Sequence, residues 1–132
     1  GCLEQYASAT GIVRLAKGLL CRSDEASAMR QCENLTAKDV FDCAKAQDAL
    51  ALQVVDQFGQ ILGTALANIA AIINPEIFVI GGGVSKAGQI ILDVVQKYFR
   101  ENVFFGCADT QFTLASLGND AGIYGAASMV LN

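Results

Sequence analysis

The chain has 132 residues, 53% of them hydrophobic, and a formal net charge of −4. That length supports one domain, and the acidic balance, with no lysine/arginine cluster, argues against a nucleic-acid-binding face. A mean hydropathy of +0.41 points to apolar surface meant to meet something else.

Gly1-Cys2-Leu3-Glu4 reads as a turn running into a helix. Tyr6, Ala9, Val13, Ala16 and Leu20 recur at helical spacing, which predicts a helix from Glu4 to about Leu20. Glu4 falls in its first turn, where a carboxylate complements the helix dipole. Residues 21–35 are polar and mixed, fitting short helical pieces or a loop. Thr36 to Asp39 outlines a capping box, with Asp at the third position, ahead of a short helix to about Lys45.

From Asp48 to Ile73 runs the longest helical pattern, with Leu50, Val54, Phe58, Leu62, Leu66 (or Ala65), Ile69 and Ile73 in one stripe. At about 1.5 Å per residue it is roughly 39 Å long. Its second half carries almost no charge and is expected to be buried on most sides. Gly59, Gly63, Ala67 and Ala71 form a small-residue stripe that lets another backbone pack closely.

Asn74-Pro75 stops that helix, because proline disfavours helix in the residue ahead of it. Ile77, Phe78, Val79 and Ile80 then form an unbroken apolar run, which suits a strand covered on both faces. Gly81, Gly82 and Gly83 allow a sharp turn and close approach to a ligand, and Ser85 is a candidate N-cap for the next helix. A strand, a glycine turn and a helix N-terminus together offer bare N–H groups to a phosphate. The alternative is a tight turn that uses glycine for packing. Counting from Gly81, the sixth position is Lys86, so the dinucleotide fingerprint fails, and the P-loop ending is also absent.

Lys86 to Arg100 is amphipathic, with Ile90, Ile91, Val94, Val95, Tyr98 and Phe99 on one face. A loop through Gly106 and Asp109 leads to a second strand within Gln111–Leu117. Gly118-Asn119-Asp120 reads as a turn and Ala121–Leu131 as a last helix rich in small residues. Two strands joined by a crossover helix make one βαβ unit. Two strands are a poor sheet alone, so further strands are expected from elsewhere.

The five cysteines, at 2, 21, 32, 43 and 107, show no CxxC spacing and read as reduced thiols of a cytosolic protein. No signal peptide is apparent, and the apolar window Ile61–Ile73 is too short to span a bilayer. With no histidine, the chain cannot by itself build Ser-His-Asp or Cys-His catalysis. It begins at Gly1, within what reads as a motif, and a fragment is expected.

Three blocks resemble the C-terminal half of bacterial sugar kinases of the ROK type, glucokinases above all. These are Gly1-Cys2-Leu3-Glu4 followed by QYASATG, then Asn74-Pro75-Glu76 with Ile80-Gly81-Gly82-Gly83-Val84-Ser85, and Leu117-Gly118-Asn119-Asp120-Ala121-Gly122 with Gly125-Ala126-Ala127. The likeness spans essentially the whole chain. It implies an α/β fold, part of the C-terminal lobe of the actin/hexokinase-like (ribonuclease H-like) ATPases, helix-rich with a small parallel βαβ unit, and a single partial domain over residues 1–132.

By the same resemblance the parent is an ATP-dependent hexose kinase, glucose favoured, cytoplasmic and dimeric, with no membrane or nucleic-acid partner. Glu4 would bind sugar hydroxyls, Gly81, Gly82 and Gly83 would pass the nucleotide phosphates, and Cys2 would be one ligand of a structural zinc site whose other ligands precede Gly1. Mg²⁺ would accompany ATP. The family's phosphate loop and general-base aspartate also precede Gly1, so no catalytic residue is assigned here and the chain alone is expected to be inactive. A sugar-responsive transcriptional repressor of the same family is the alternative, and a nucleotide-binding α/β module a weaker third. The intact glycine turn favours the kinase, since repressors need no nucleotide.

Overall fold

A computed structural model describes residues 2–116. The expected turn at Gly118–Asp120, the last helix and the third family block lie outside the described residues. The described elements run α1 (Ala9–Arg22), α2 (Ala37–Lys45), α3 (Ala49–Ile73), β1 (Ile77–Ile80), α4 (Gln89–Asn102) and β2 (Gln111–Leu114), with single-turn 3-10 helices between some of them.

α1 starts later than the apolar spacing predicts. Ser8 sits in extended backbone, and its Oγ accepts the Gly11 N–H at 3.1 Å, which caps the helix there. Leu3–Gln5 forms a separate 3-10 turn, so Glu4 is not in the first turn of α1.

After α1 the chain makes a 3-10 turn over Ala28–Gln31 and buries Met29 completely. Arg30 organises this segment. Its guanidinium donates to the carbonyls of Leu20 at 3.2 Å and Glu25 at 3.1 Å, and also to that of Ser23. The capping box of α2 forms as expected: Asp39 N–H reaches Thr36 Oγ1 at 3.3 Å, and Thr36 N–H reaches Asp39 Oδ2 at 2.8 Å.

Asp48 caps α3 and ties the preceding loop to it. Its carboxylate accepts from Ala51 N–H at 3.0 Å, Ala28 N–H at 2.7 Å and the Ser27 hydroxyl at 3.0 Å. Partial burial opposes the charge of Asp48, but these three hydrogen bonds prevail and hold its carboxyl below the usual range. The far end of α3 closes at Asn74, a left-handed residue with φ 45°, directly before Pro75.

α3 is the spine of the core. Its buried Leu50, Val54 and Phe58 share one core cluster with Ile12 and Ala16 of α1, Val40 and Phe41 of α2, and Ile91, Val95 and Phe99 of α4. Gly59 and Gly63 of the small-residue stripe have their expected use against α4, whereas Ala71 is exposed. A Cβ on Gly63 would lie 2.7 Å from the Val95 carbonyl oxygen and 2.8 Å from the Phe99 nitrogen. One on Gly59 would collide with the Val94 side chain. No helix among the described residues is long and apolar enough to cross a membrane.

β1 and β2 pair in parallel, with Ile77 opposite Gln111 and Ile80 opposite Leu114, and α4 crosses between them. Phe78, Phe99 and Phe112 pack the sheet onto α4, with ring centroids 4.9–5.9 Å apart. The expectation of a strand covered on both faces fails within the described residues. Phe78 and Ile80 face the core, whereas Ile77 and Val79 are 48% and 59% exposed. An apolar run cannot distinguish a face covered by its own chain from one left bare.

Candidate functional site

The N-terminal turn is built from backbone hydrogen bonds. Gln5 N–H reaches Cys2 O at 3.0 Å, and the Tyr6 and Ala7 N–H groups both reach Leu3 O, at 2.9 and 2.8 Å. Cys2 and Glu4 are exposed on it. The turn lies directly on the first turn of α1, where a Cβ on Gly11 would sit 2.4 Å from Tyr6 O and 2.9 Å from Gln5 O. Only glycine fits that contact without moving backbone. Arg14 then reaches back from α1. Its guanidinium donates to Gln5 O and lies over the Tyr6 ring, 4.8 Å from the centroid.

The second feature is the glycine turn after β1. Ile80 O still belongs to the sheet, accepting Ala115 N–H at 2.9 Å. Gly82 then adopts φ 74° and ψ −165°, a region open essentially to glycine alone. Among the described residues, a Cβ there would meet nothing within 4 Å. Among the described residues Gly82 is thus required for conformation and not for packing.

Past the turn the chain does not enter α4 directly. Gly83–Ala87 forms a 3-10 helix, and α4 begins at Gln89 behind Gly88, whose φ is 77°. Ser85 therefore does not cap α4. Its Oγ instead donates back to Gly82 O at 2.8 Å, and its N–H reaches the same oxygen at 3.2 Å. A second positive-φ glycine so close behind the first reorients the chain before the helix can start.

The two features meet near the start of α1, where a Cβ on Gly83 would stand 3.8 Å from Ala9 Cβ. Beside the glycine turn opens a cleft of about 130 Å³, lined by Lys38, Phe41, Asp42, Gly83, Lys86 and Ala87. Lys38 pairs with Asp42 at 2.6 Å, and that contact raises the lysine's pKa above its ordinary value.

Sequence reasoning did not single out Gly11 or Arg14. Gly11 could have been noticed, because glycine inside a helical pattern is costly and often marks a close approach. Arg14 gives no comparable signal, since it acts on a carbonyl nine positions away through a turn the periodicity did not reveal.

The sequence model of the ROK family matches residues 1–132. The chain is 47% identical to a glucokinase of Halalkalibacterium halodurans over 98% of its own length and 41% of that protein. It superposes on a ROK family glucokinase from Streptomyces griseus, solved with glucose and AMPPNP, with a TM-score of 0.87 and 32% identity, covering 98% of this chain and 44% of that one. It is also 33% identical to the DNA-binding transcriptional repressor Mlc of Escherichia coli, over 76% of this chain and 24% of the repressor. The chain thus spans less than half the length of these relatives. Its helices and small parallel sheet are part of the actin/hexokinase-like fold of ROK sugar kinases, and the chain belongs to the ROK family.

Proposed function

We propose that this chain is the C-terminal segment of an ATP-dependent hexose kinase, with glucose as the favoured acceptor. The observation that carries the reading is the 47% identity to a glucokinase across 98% of the chain. In this reading the exposed Glu4 carboxylate accepts hydrogen bonds from sugar hydroxyls. Gly81, Gly82 and Gly83 pass beneath the nucleotide phosphates, where the open space over Gly82 suits close approach of a ligand. Bound Mg-ATP supplies the γ-phosphoryl group and the charge neutralisation of the transfer. The work of these residues is orientation, the larger part of catalysis in this reaction class. A homodimer in the cytoplasm belongs to the same reading.

Zinc enters this reading through Cys2 alone. Among the described residues no three of His, Cys, Asp and Glu stand together as a metal site, so Cys2 would supply one ligand to a site completed by other residues. No step is assigned to that metal.

The match to Mlc supports a second reading, a sugar-responsive repressor that shares the sugar-binding turn. Expressing the full open reading frame and following ADP release from Mg-ATP against a panel of hexoses separates the two. Turnover with glucose is the expected outcome. Sugar binding without turnover favours the repressor. Residues 1–132 alone are expected to show no turnover, since the resemblance assigns them no general base.

A further inference from the structure

We infer that Arg14 is a positioning residue for the turn that carries Glu4, an inference that rests on the sugar-binding reading of that turn. The ion pairs among the described residues are Lys38–Asp42 and Lys97–Asp56, so no such pair holds the Glu4 side chain. Among the described residues, the backbone turn of Leu3–Gln5 sets where Glu4 is presented. A single exposed 3-10 turn is weak by itself, with few hydrogen bonds of poor geometry.

What fixes it is α1. Gly11 removes every side-chain atom from the contact, so the backbones of Gln5 and Tyr6 rest on the helix itself. Arg14, one helical turn further on, closes over both residues, with its guanidinium hydrogen-bonded to Gln5 O and lying over the Tyr6 ring. The planar fork can do both at once, which a lysine ammonium cannot. Arg14 is exposed and takes no part in the core, where α1 is anchored by the fully buried Ile12 and Ala16. Its loss leaves that anchorage in place and frees the turn.

The test uses the full-length protein with Arg14→Ala, Arg14→Lys and, as a control clamp elsewhere, Arg30→Ala. For Arg14→Ala the KM for glucose is expected to rise about tenfold, with the KM for ATP unchanged. Arg14→Lys is expected to fall between, and Arg30→Ala to leave both constants at the wild-type value. An Arg14→Ala enzyme with the wild-type KM for glucose overturns the inference. So does a parallel rise in both constants, which would mark a general loss of structure. If the wild type turns over no hexose, the kinase reading fails by itself, and glucose titration calorimetry decides the role of Arg14. A weaker Kd in Arg14→Ala then supports it, and an equal Kd overturns it. A wild type that binds no sugar overturns both.

Discussion

Glycine does opposite work in two regions of this molecule. At the α3–α4 seam, Gly63 is buried and its missing Cβ makes room for the backbone of Val95 and Phe99. At the turn after β1, Gly82 is exposed and its missing Cβ leaves space that no atom of the described residues fills. The seam needs absence of volume, and the turn needs a backbone conformation. In the first case glycine belongs to packing. In the second, where packing asks for nothing, a ligand approaching the backbone is the natural beneficiary.

The largest effect is expected at the seam. Gly63→Ala puts a methyl group against backbone that cannot step aside, and should cost about 1–3 kcal/mol in denaturant unfolding. Gly59→Ala meets only side-chain atoms, the γ-carbons and Cβ of Val94, which yield by small shifts where main chain cannot, and should cost somewhat less. A Gly59 variant as damaged as the Gly63 variant would mean the seam is side-chain limited, and the contrast would collapse. Next is Gly82→Ala, which meets no clash but is forced into a region alien to L-residues, at about 1–2 kcal/mol. Under the kinase reading its KM for ATP should rise while its KM for glucose holds. An unchanged KM for ATP would return the turn to a purely structural role.

The smallest effect lies away from both regions, at Asp48. Its pKa is depressed in the folded state, so its stabilisation is fully present above the unfolded value near 3.8 and is lost as pH falls through the lower folded value. Asp48→Asn keeps an acceptor at the helix cap but cannot titrate. Its acid unfolding should therefore depend less on pH below about 4 than the wild type's. An identical acid profile would remove Asp48 from the account.

Much of this was legible in the sequence because it is local. The Thr36–Asp39 box, the extent of α3 with its buried stripe from Leu50 to Leu66, the Asn74-Pro75 stop and the strand positions each follow from residues within a few positions of one another. The far end of α3, expected to be buried on most sides, instead leaves Ile69, Ile72 and Ile73 exposed among the described residues. The misreadings share a cause as well. Tyr6 fits the helical period of α1, yet Ser8 wins the chain end by capping Gly11. Ser85 has the right chemistry for a cap, yet Gly82 O captures it. The open face of Ile77 and Val79 carries the same residues a covered face would. In the site, Glu4 and the glycine turn were marked by motif, but the Arg14 grip joins residues nine apart and leaves no periodic trace.

The Arg30 clamp has a consequence for how this segment can change over time. All three of its acceptors are main-chain carbonyls, of Leu20, Ser23 and Glu25. Every amino acid supplies that group, so the clamp is blind to the side chains around it. This clamp therefore places no demand on the side chains of residues 20, 23 and 25, and its share of the loop's constraint falls on a single arginine codon.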